Sequence, residues 1–471
     1  MREKDLEETV FLMEKDNHFK IIYFLFLLPF VLCFLSWLYF PVFAEWIINN
    51  IFNYESSSFI ENYLWIGIVR FFYSWYTLIA IGLAGMWIVA AFISRKRELK
   101  NSQSFYPMVS FVIPAFNQEK NIATCINSLF RSANNYEGLC EILVVDDGSN
   151  DCTYEIAWST IINNRKKYPR ICGKVIRHSA NLGKIDSLKT GINRALGGLI
   201  AIVDSDSEWA EDTLVGLVDY KLSNNKRAVT GYTHPNGQGS EGNWIVTIQR
   251  LEYSQGLGIG RCAQGLGDNV IVVSGAIGVY DADLLREVID ERDIRSVTED
   301  LEITLEMHKK GAKIGYFSFV SSATVAPTNI STLWHQRLRW FTGWLHNTLS
   351  IHRDLMTRLS WVSSLLWYCY IFEFAGAIMD LVSVSVFPFL LWFSPDPTLF
   401  IYNLFVFVPY GLCIGLISQA IALQFAYGKS KPKLLLVYTP LYPLLRIINV
   451  LARSKSMINY LTGNNGKWYN D

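Results

Sequence analysis

Charge is scarce in this chain. Only 18% of its 471 residues are Asp, Glu, Lys or Arg, against roughly a quarter in ordinary soluble domains. Residues 21–43 and 71–94 contain no charged side chain at all, so part of the chain is expected in lipid. The charge that is present balances to a formal net of zero. That excludes a nucleic-acid partner gripped by bulk positive charge. Paired cysteines are missing as well. The eight cysteines (Cys33, Cys125, Cys140, Cys152, Cys172, Cys262, Cys369, Cys413) are scattered with no CxxC pair. Neither a zinc site nor a disulfide framework is expected, only reduced thiols.

The two uncharged stretches are each long enough to cross a bilayer, which takes about 20 apolar residues. The first exceeds a signal-peptide core and lacks a small-residue cleavage site, so it reads as retained. Arg95-Lys96-Arg97-Glu98-Leu99-Lys100 follows the second, and positive charge beside a span marks the cytoplasmic side. Residues 1–100 are thus an N-terminal membrane region, and 101–330 a cytoplasmic domain. A second membrane region is expected over 357–471, with spans at about 361–393 and 399–427. Residues 434–452 form either a fifth span or a helix lying in the interface. Glu373 and Asp380 fall inside the first of these spans. They are either a buried polar tie between helices or the lining of a wet conduit. The expected location is therefore an integral membrane protein with the lipid bilayer as a partner.

Between residues 107 and 320 the pattern changes. Strands are expected at Val109–Pro114, Glu141–Val145, Lys174–His178 and Leu199–Val203. Helices are expected at Asn121–Arg131, Cys152–Asn164 and Lys184–Ala195. This alternation predicts a mostly parallel sheet covered on both faces, where ligands bind beyond the carboxyl ends of the strands.

Polar residues collect at those ends: Pro114-Ala115-Phe116-Asn117-Gln118-Glu119, Asp146-Asp147-Gly148-Ser149, Asn181-Leu182-Gly183-Lys184 and Asp204-Ser205-Asp206. Each alone has an ordinary reading as a turn or a helix cap. Together they make one rim. Two carboxylates one residue apart suit Mg2+ or Mn2+ completed by substrate phosphates, and such a metal neutralises a departing diphosphate. Lys184 at a helix N-terminus suits the same diphosphate. Asp146 and Asp147 can accept hydrogen bonds from a base or ribose. Farther on, Val272–Ala276 reads as a strand that ends in small residues, Ser274-Gly275-Ala276. Thr298-Glu299-Asp300 heads a helix over Leu301–Lys310, either as a cap with an acidic first turn or with Asp300 as a general base. Gln336-Arg337-Leu338-Arg339-Trp340 closes the series within Thr332–Ile351, an aromatic-rich amphipathic helix.

The ordered set PAFNQE, DDGS, NLGK, DSD, SGA, TED and QRLRW, spread over about 240 residues, resembles the membrane-embedded family 2 glycosyltransferases of GT-A fold. The group includes poly-N-acetylglucosamine, hyaluronan, chitin and cellulose synthases. The resemblance implies a Rossmann-like mixed sheet inserted between N- and C-terminal transmembrane helices, with residues 331–356 as an interface helix. It also implies donor contacts from Pro114, Phe116, Gln118, Asp146, Asp147, Lys184, Asp204, Gln336 and Arg339. Asp204 and Asp206 would hold the metal, Mg2+ or Mn2+, and Asp300 would act as base. Ser274, Gly275, Glu299 and Trp340 would meet the acceptor, Trp340 stacking under its terminal sugar. The implied reaction is inverting transfer from a UDP-sugar to a growing β-linked polysaccharide that leaves through the membrane. The family often has Tyr where Phe116 stands, and Glu directly after the Asn where this chain has Gln118.

Two other readings stand beside this one. Ceramide glucosyltransferases share the aspartates and an Arg-Trp motif, so a single addition to a lipid acceptor is the alternative. An inert membrane scaffold is a third, opposed by the presence of every charged residue the chemistry needs. The sugar, the linkage, the oligomeric state and any accessory subunit are not written in the motifs.

Overall fold

A computed structural model describes residues 80–98, 105–236, 242–291, 294, 296–358, 360–375, 408–427 and 437–462. The expected span at 21–43 lies outside these residues, as do Asp380 and most of 376–407. The chain divides into two compact units, residues 1–89 with 379–440 and residues 90–378 with 441–471. The first contains the helix Val408–Tyr427. Among the described residues no helix is long and apolar enough to cross a membrane.

The second unit is built on one eight-stranded sheet. Its strands are β1 (Val109–Ala115), β2 (Cys140–Asp146), β3 (Ile171–Arg177), β4 (Leu199–Ile202), β5 (Ser207–Trp209), β6 (Ala228–Asn236), β7 (Gly278–Asp281) and β8 (Ile314–Val325). The order across the sheet is β3-β2-β1-β4-β7-β6-β8-β5. Every residue of β1 and β2 is buried. A central parallel strand covered on both faces needs a nearly continuous apolar run. VSFVIPA and CEILVVD supply it apart from Ser110, Glu141 and Asp146, with Ser110 Oγ donating to Glu141 Oε1 at 2.5 Å. Full burial of one Ile, Leu or Phe contributes about 1.5–3 kcal/mol, so these two strands anchor the core. Helix α1 (Ile122–Asn134) buries Ile122, Ile126, Leu129 and Phe130 at helical spacing. Trp209 meets the edge of Phe111 at 5.4 Å.

The four N-terminal strands pair in parallel, as expected. Beyond them the sheet departs from the sequence reading. β7 enters antiparallel between β4 and β6, and β5 closes the far edge antiparallel to β8. The result is a mixed sheet. Ser274–Ala276 does not end a strand; it is a turn leading into β7. The turn forms because its backbone is engaged elsewhere, Gly275 O accepting from Asp204 N at 2.8 Å.

Helices α2 (Thr153–Lys167), α3 (Lys184–Arg194) and α4 (Thr213–Ser223) follow β2, β3 and β5. Next come α5 (Trp244–Tyr253), a π-helical turn Ser254–Arg261, α6 (Ala282–Glu291) and α7 (Glu299–Lys309). Helix α8 (Ile330–His346) carries QRLRW and runs on into a second π-helical turn, Asn347–Ile351. Helix α9 (Tyr442–Leu461) covers the end of the 434–452 stretch. It packs on α8, where Thr342 Oγ1 donates to Ser456 Oγ at 3.1 Å, and it buries Leu445, Asn449 and Ala452. Glu373 is exposed and pairs with Arg453 of this helix at 3.2 Å. Glu98, just after the basic flank, is buried and accepts from Ser318 N and Oγ, both at 2.8 Å. Cys125, Cys140, Cys152, Cys172, Cys262 and Cys369 are free thiols.

Candidate active site

The carboxyl ends of β1, β2 and β4 form one rim, and the loops there are laced to each other. Asn117, whose φ of 52° is left-handed, receives a bond at its backbone turn: its N–H donates to Ser149 Oγ at 3.0 Å, and its Oδ1 accepts from Asn150 N at 3.0 Å. Gln118 N donates to Thr153 Oγ1 at 2.7 Å. Pro114 is buried beneath this loop, while Phe116 is exposed at the rim. Gly148 has φ 71°, and a Cβ there would lie 2.7 Å from the backbone carbon of Ala180. Only glycine permits that turn and that approach together.

The two aspartates of DDGS take structural work. Asp146 is fully buried, paired with Arg177 Nε at 3.1 Å. Asp147 accepts from Leu182 N at 3.0 Å and Gly183 N at 2.7 Å, and lies 2.8 Å from His178 Nδ1. Its carboxylate therefore fixes the Asn181–Lys184 loop. That differs from the expectation of a carboxylate turned to a base or ribose. The physical reason is that Oδ1 is engaged by Leu182 N and Oδ2 by Gly183 N, backbone donors of the loop itself.

The centre of the rim lies where three distant motifs converge. Lys184 Nζ bridges Asp204 Oδ1 and Glu299 Oε1, each at 2.6 Å. Burial alone would lower the Lys184 pKa, but the two carboxylates outweigh it and hold it above its ordinary value. Asp206 shows the opposite imbalance. Burial, then the nearby Asp204, push its pKa up to about 6, offset in part by Lys184; Thr324 Oγ1 stands 3.4 Å away. Asp300 is likewise raised to about 6 by burial and by Glu299, against the pull of Lys184, Leu301 N and Arg261. Asp206 lines a cavity of about 220 Å³ with Asn121, Cys125, Asn236 and Thr324.

Among the described residues no group of three or more His, Cys, Asp or Glu stands ready to hold a metal by itself. Asp204 and Asp206 nevertheless fit a hard divalent cation. One is a carboxylate left short of counter-charge and the other keeps its second oxygen clear of Lys184. Two carboxylates with substrate phosphates is how Mg2+ is commonly held.

On α8 the motif residues divide. Arg337, assigned no role from sequence, is the buried one, 2% exposed. It pairs with Glu252 Oε2 at 2.5 Å and lies over the Trp340 ring at 4.3 Å. Asn449 Nδ2 donates to the other Glu252 oxygen at 2.6 Å. Arg339 is exposed. Gln336 Oε1 is buried without a hydrogen-bond partner. Arg261, also missed, ends the π-helical turn with Nη1 buried and unpartnered, close enough to Asp300 to draw its pKa down. Its signal is slight, a single Arg closing the Gly-rich run 256–260. Ser274 Oγ stays within its own turn, accepting from Ala276 N at 3.3 Å.

A mixed α/β sheet with acidic strand-end loops meeting at one lysine is the GT-A glycosyltransferase architecture. Residues 110–289 match the model of glycosyl transferase family 2, and this part of the chain is a family 2 glycosyltransferase domain. The curated relatives include a poly-beta-1,6-N-acetyl-D-glucosamine synthase of Staphylococcus epidermidis. It is 24% identical over 251 residues, 53% of this chain and 58% of that protein. The Staphylococcus aureus (strain COL) synthase of the same name is 25% identical over 236 residues, 50% of this chain and 54% of that one. The match thus spans little more than half the length of these relatives. Among solved structures, a mannosyltransferase from Pyrobaculum calidifontis in complex with GDP-Man and Mn2+ superposes with a TM-score of 0.51. It is 14% identical and covers 76% of this chain and 100% of its own, a likeness of fold.

Proposed function

We propose that the protein is an inverting glycosyltransferase that extends a β-linked polysaccharide from a UDP-sugar, with UDP-N-acetylglucosamine the first candidate donor. The observation that carries this reading is the Lys184 bridge between Asp204 and Glu299. It gathers the diphosphate lysine, the acidic pair and the base-bearing helix at one point, and the names of the staphylococcal relatives supply the sugar.

In the reaction, an acceptor hydroxyl oxygen bonds to the anomeric carbon as that carbon's bond to the diphosphate oxygen breaks. UDP leaves with the electron pair. Asp300 takes the hydroxyl proton, its raised pKa suiting a base near neutrality. Lys184 turns from its two carboxylates to the diphosphate, and Gln336 and Arg339 reach it from α8. Trp340 stacks under the acceptor sugar. A bound Mg2+ or Mn2+, held by Asp204 and Asp206, supplies neutralisation of the leaving diphosphate. The uncharged stretches 21–43 and 71–94 support a membrane location with this domain on the cytoplasmic side, from which the polymer would leave through the membrane region.

The test is UDP release by the purified full chain over a panel of UDP-sugars, with the product sized. Polymer made from UDP-N-acetylglucosamine is expected. A mono-glycosylated lipid as sole product would sink polymerisation, and no UDP release from any donor would sink the reading altogether.

A further inference from the structure

Helix α8 continues its site-facing stripe past the QRLRW motif. Gln336, Trp340, Gly343 and Asn347 follow at steps of four, three and four residues, which puts them on one helical face. The last two touch the loop that leads into α7. Asn347 is fully buried, and its Nδ2 donates to Ser296 Oγ at 2.8 Å and to Thr298 Oγ1 at 2.9 Å. Ser296 is itself held, its N–H donating to Glu302 Oε2 at 2.9 Å. Thr298 stands at the N-cap of α7, yet its hydroxyl makes no cap bond. A threonine there ordinarily caps the helix; this one is turned across to α8 instead.

Gly343 closes against the same residue. A Cβ at position 343 would lie 2.7 Å from Thr298 Cγ2 and 3.1 Å from Thr298 Cβ, with Oγ1 nearer still. Thr298 cannot rotate away without giving up its bond to Asn347. Nothing larger than hydrogen fits while the loop stays where it is.

We infer that Gly343 and Asn347 are positioning residues, which clasp Thr298 and so fix Trp340 on α8 at its working distance from Asp300. The inference rests on the reading of Asp300 as base and Trp340 as sugar platform. Thr298 is two residues before the base, and Gly343 is one helical turn past the platform. The clasp thus ties the loop before the group that takes the proton to the helix of the group that holds the sugar.

The test uses the purified full chain and separates sugar transfer from donor binding. Gly343→Ala forces α8 and the loop apart by up to about an ångström, a misplacement that costs on the order of 100-fold in rate. Transfer kcat is expected to fall by about that factor and UDP affinity by much less, since α8 carries Gln336 and Arg339 as well as Trp340 but only the acceptor must be held against the base. Asn347→Ala removes the bonds to Ser296 and Thr298 without adding bulk at position 343, and is expected to lower transfer kcat in the same sense, with UDP affinity again less affected. Three results would overturn the clasp: wild-type transfer by Gly343→Ala, UDP affinity falling in step with transfer, or wild-type transfer by Asn347→Ala. If the unaltered protein consumes no UDP-sugar, the functional reading fails and takes the clasp with it. If it is active and Gly343→Ala is silent, only the clasp fails.

Discussion

Asp300 and Lys184 are the residues whose chemistry and whose contribution to folding separate most cleanly. Asp300 faces Glu299, Lys184 and Arg261, and burial with Glu299 leaves its pKa at about 6. A base must be unprotonated to act, so kcat/KM should fall about tenfold per pH unit as the pH drops below about 6. A pH profile of UDP release flat down to pH 5 would contradict that assignment. The same shift acts on stability in the other direction. A carboxyl whose folded pKa is raised binds its proton better when folded, so this group favours the fold increasingly as pH falls from about 6 toward the ordinary carboxylate range. Asp300→Asn should cost on the order of 100- to 10,000-fold in transfer, with UDP binding retained in a titration calorimeter. Lys184 is 41% exposed at its side chain, but its partner Glu299 is buried, so losing the lysine leaves that carboxylate short of counter-charge. Lys184→Met should therefore lower the unfolding midpoint modestly while weakening UDP binding about tenfold, a loss of about 1.4 kcal/mol. A large fall in both would make the lysine a structural tie.

At the scale of elements, the junction of α5, α8 and α9 hangs on one carboxylate. Glu252 takes Arg337 on one oxygen and Asn449 on the other. Removing one partner of a buried ion pair leaves the other charge uncompensated, at about 3–5 kcal/mol. Glu252→Ala should thus lower the denaturation midpoint far more than Lys184→Met does, and should disorder Trp340, over which Arg337 lies. Trp fluorescence shifting at sub-denaturing urea would report it. This junction also marks where the sequence stops being legible. β1, β2, β4 and helices α1–α3 stand close to their expected bounds because each is a strong local pattern, a nearly continuous apolar run or an amphipathic stripe. Arg337 and Arg339 differ by one turn-defining step in the same motif. Which of them is buried depends on Glu252, 85 residues away. Thr298 is likewise a cap by local rule, and its diversion to Asn347 is a tertiary fact. Asp147 belongs here too, since a DDGS turn looks the same whether its carboxylate faces a nucleotide or a neighbouring backbone.

For the whole molecule, the motifs gave the GT-A architecture and the order of the rim, while the antiparallel entry of β7 was hidden. A four-residue strand flanked by a turn carries little local signal, and its neighbours β4 and β6 are chosen by the assembled sheet. The closing pair has a consequence of its own. Asp206 precedes β5, which is held at the sheet edge only by β8, and its carboxylate meets Thr324, 118 residues later in the chain. A ribosome adding about 5–20 residues per second needs roughly 6–24 s to cover that distance. Throughout that interval β5 lacks its ladder partner, although Ser128 and Phe111 already meet Trp209. Nascent chains arrested before residue 314 should fail to retain UDP on a nucleotide resin, and chains extended past residue 325 and clear of the exit tunnel should retain it. On that expectation the emerging domain would engage nucleotide only after its last strand has been made.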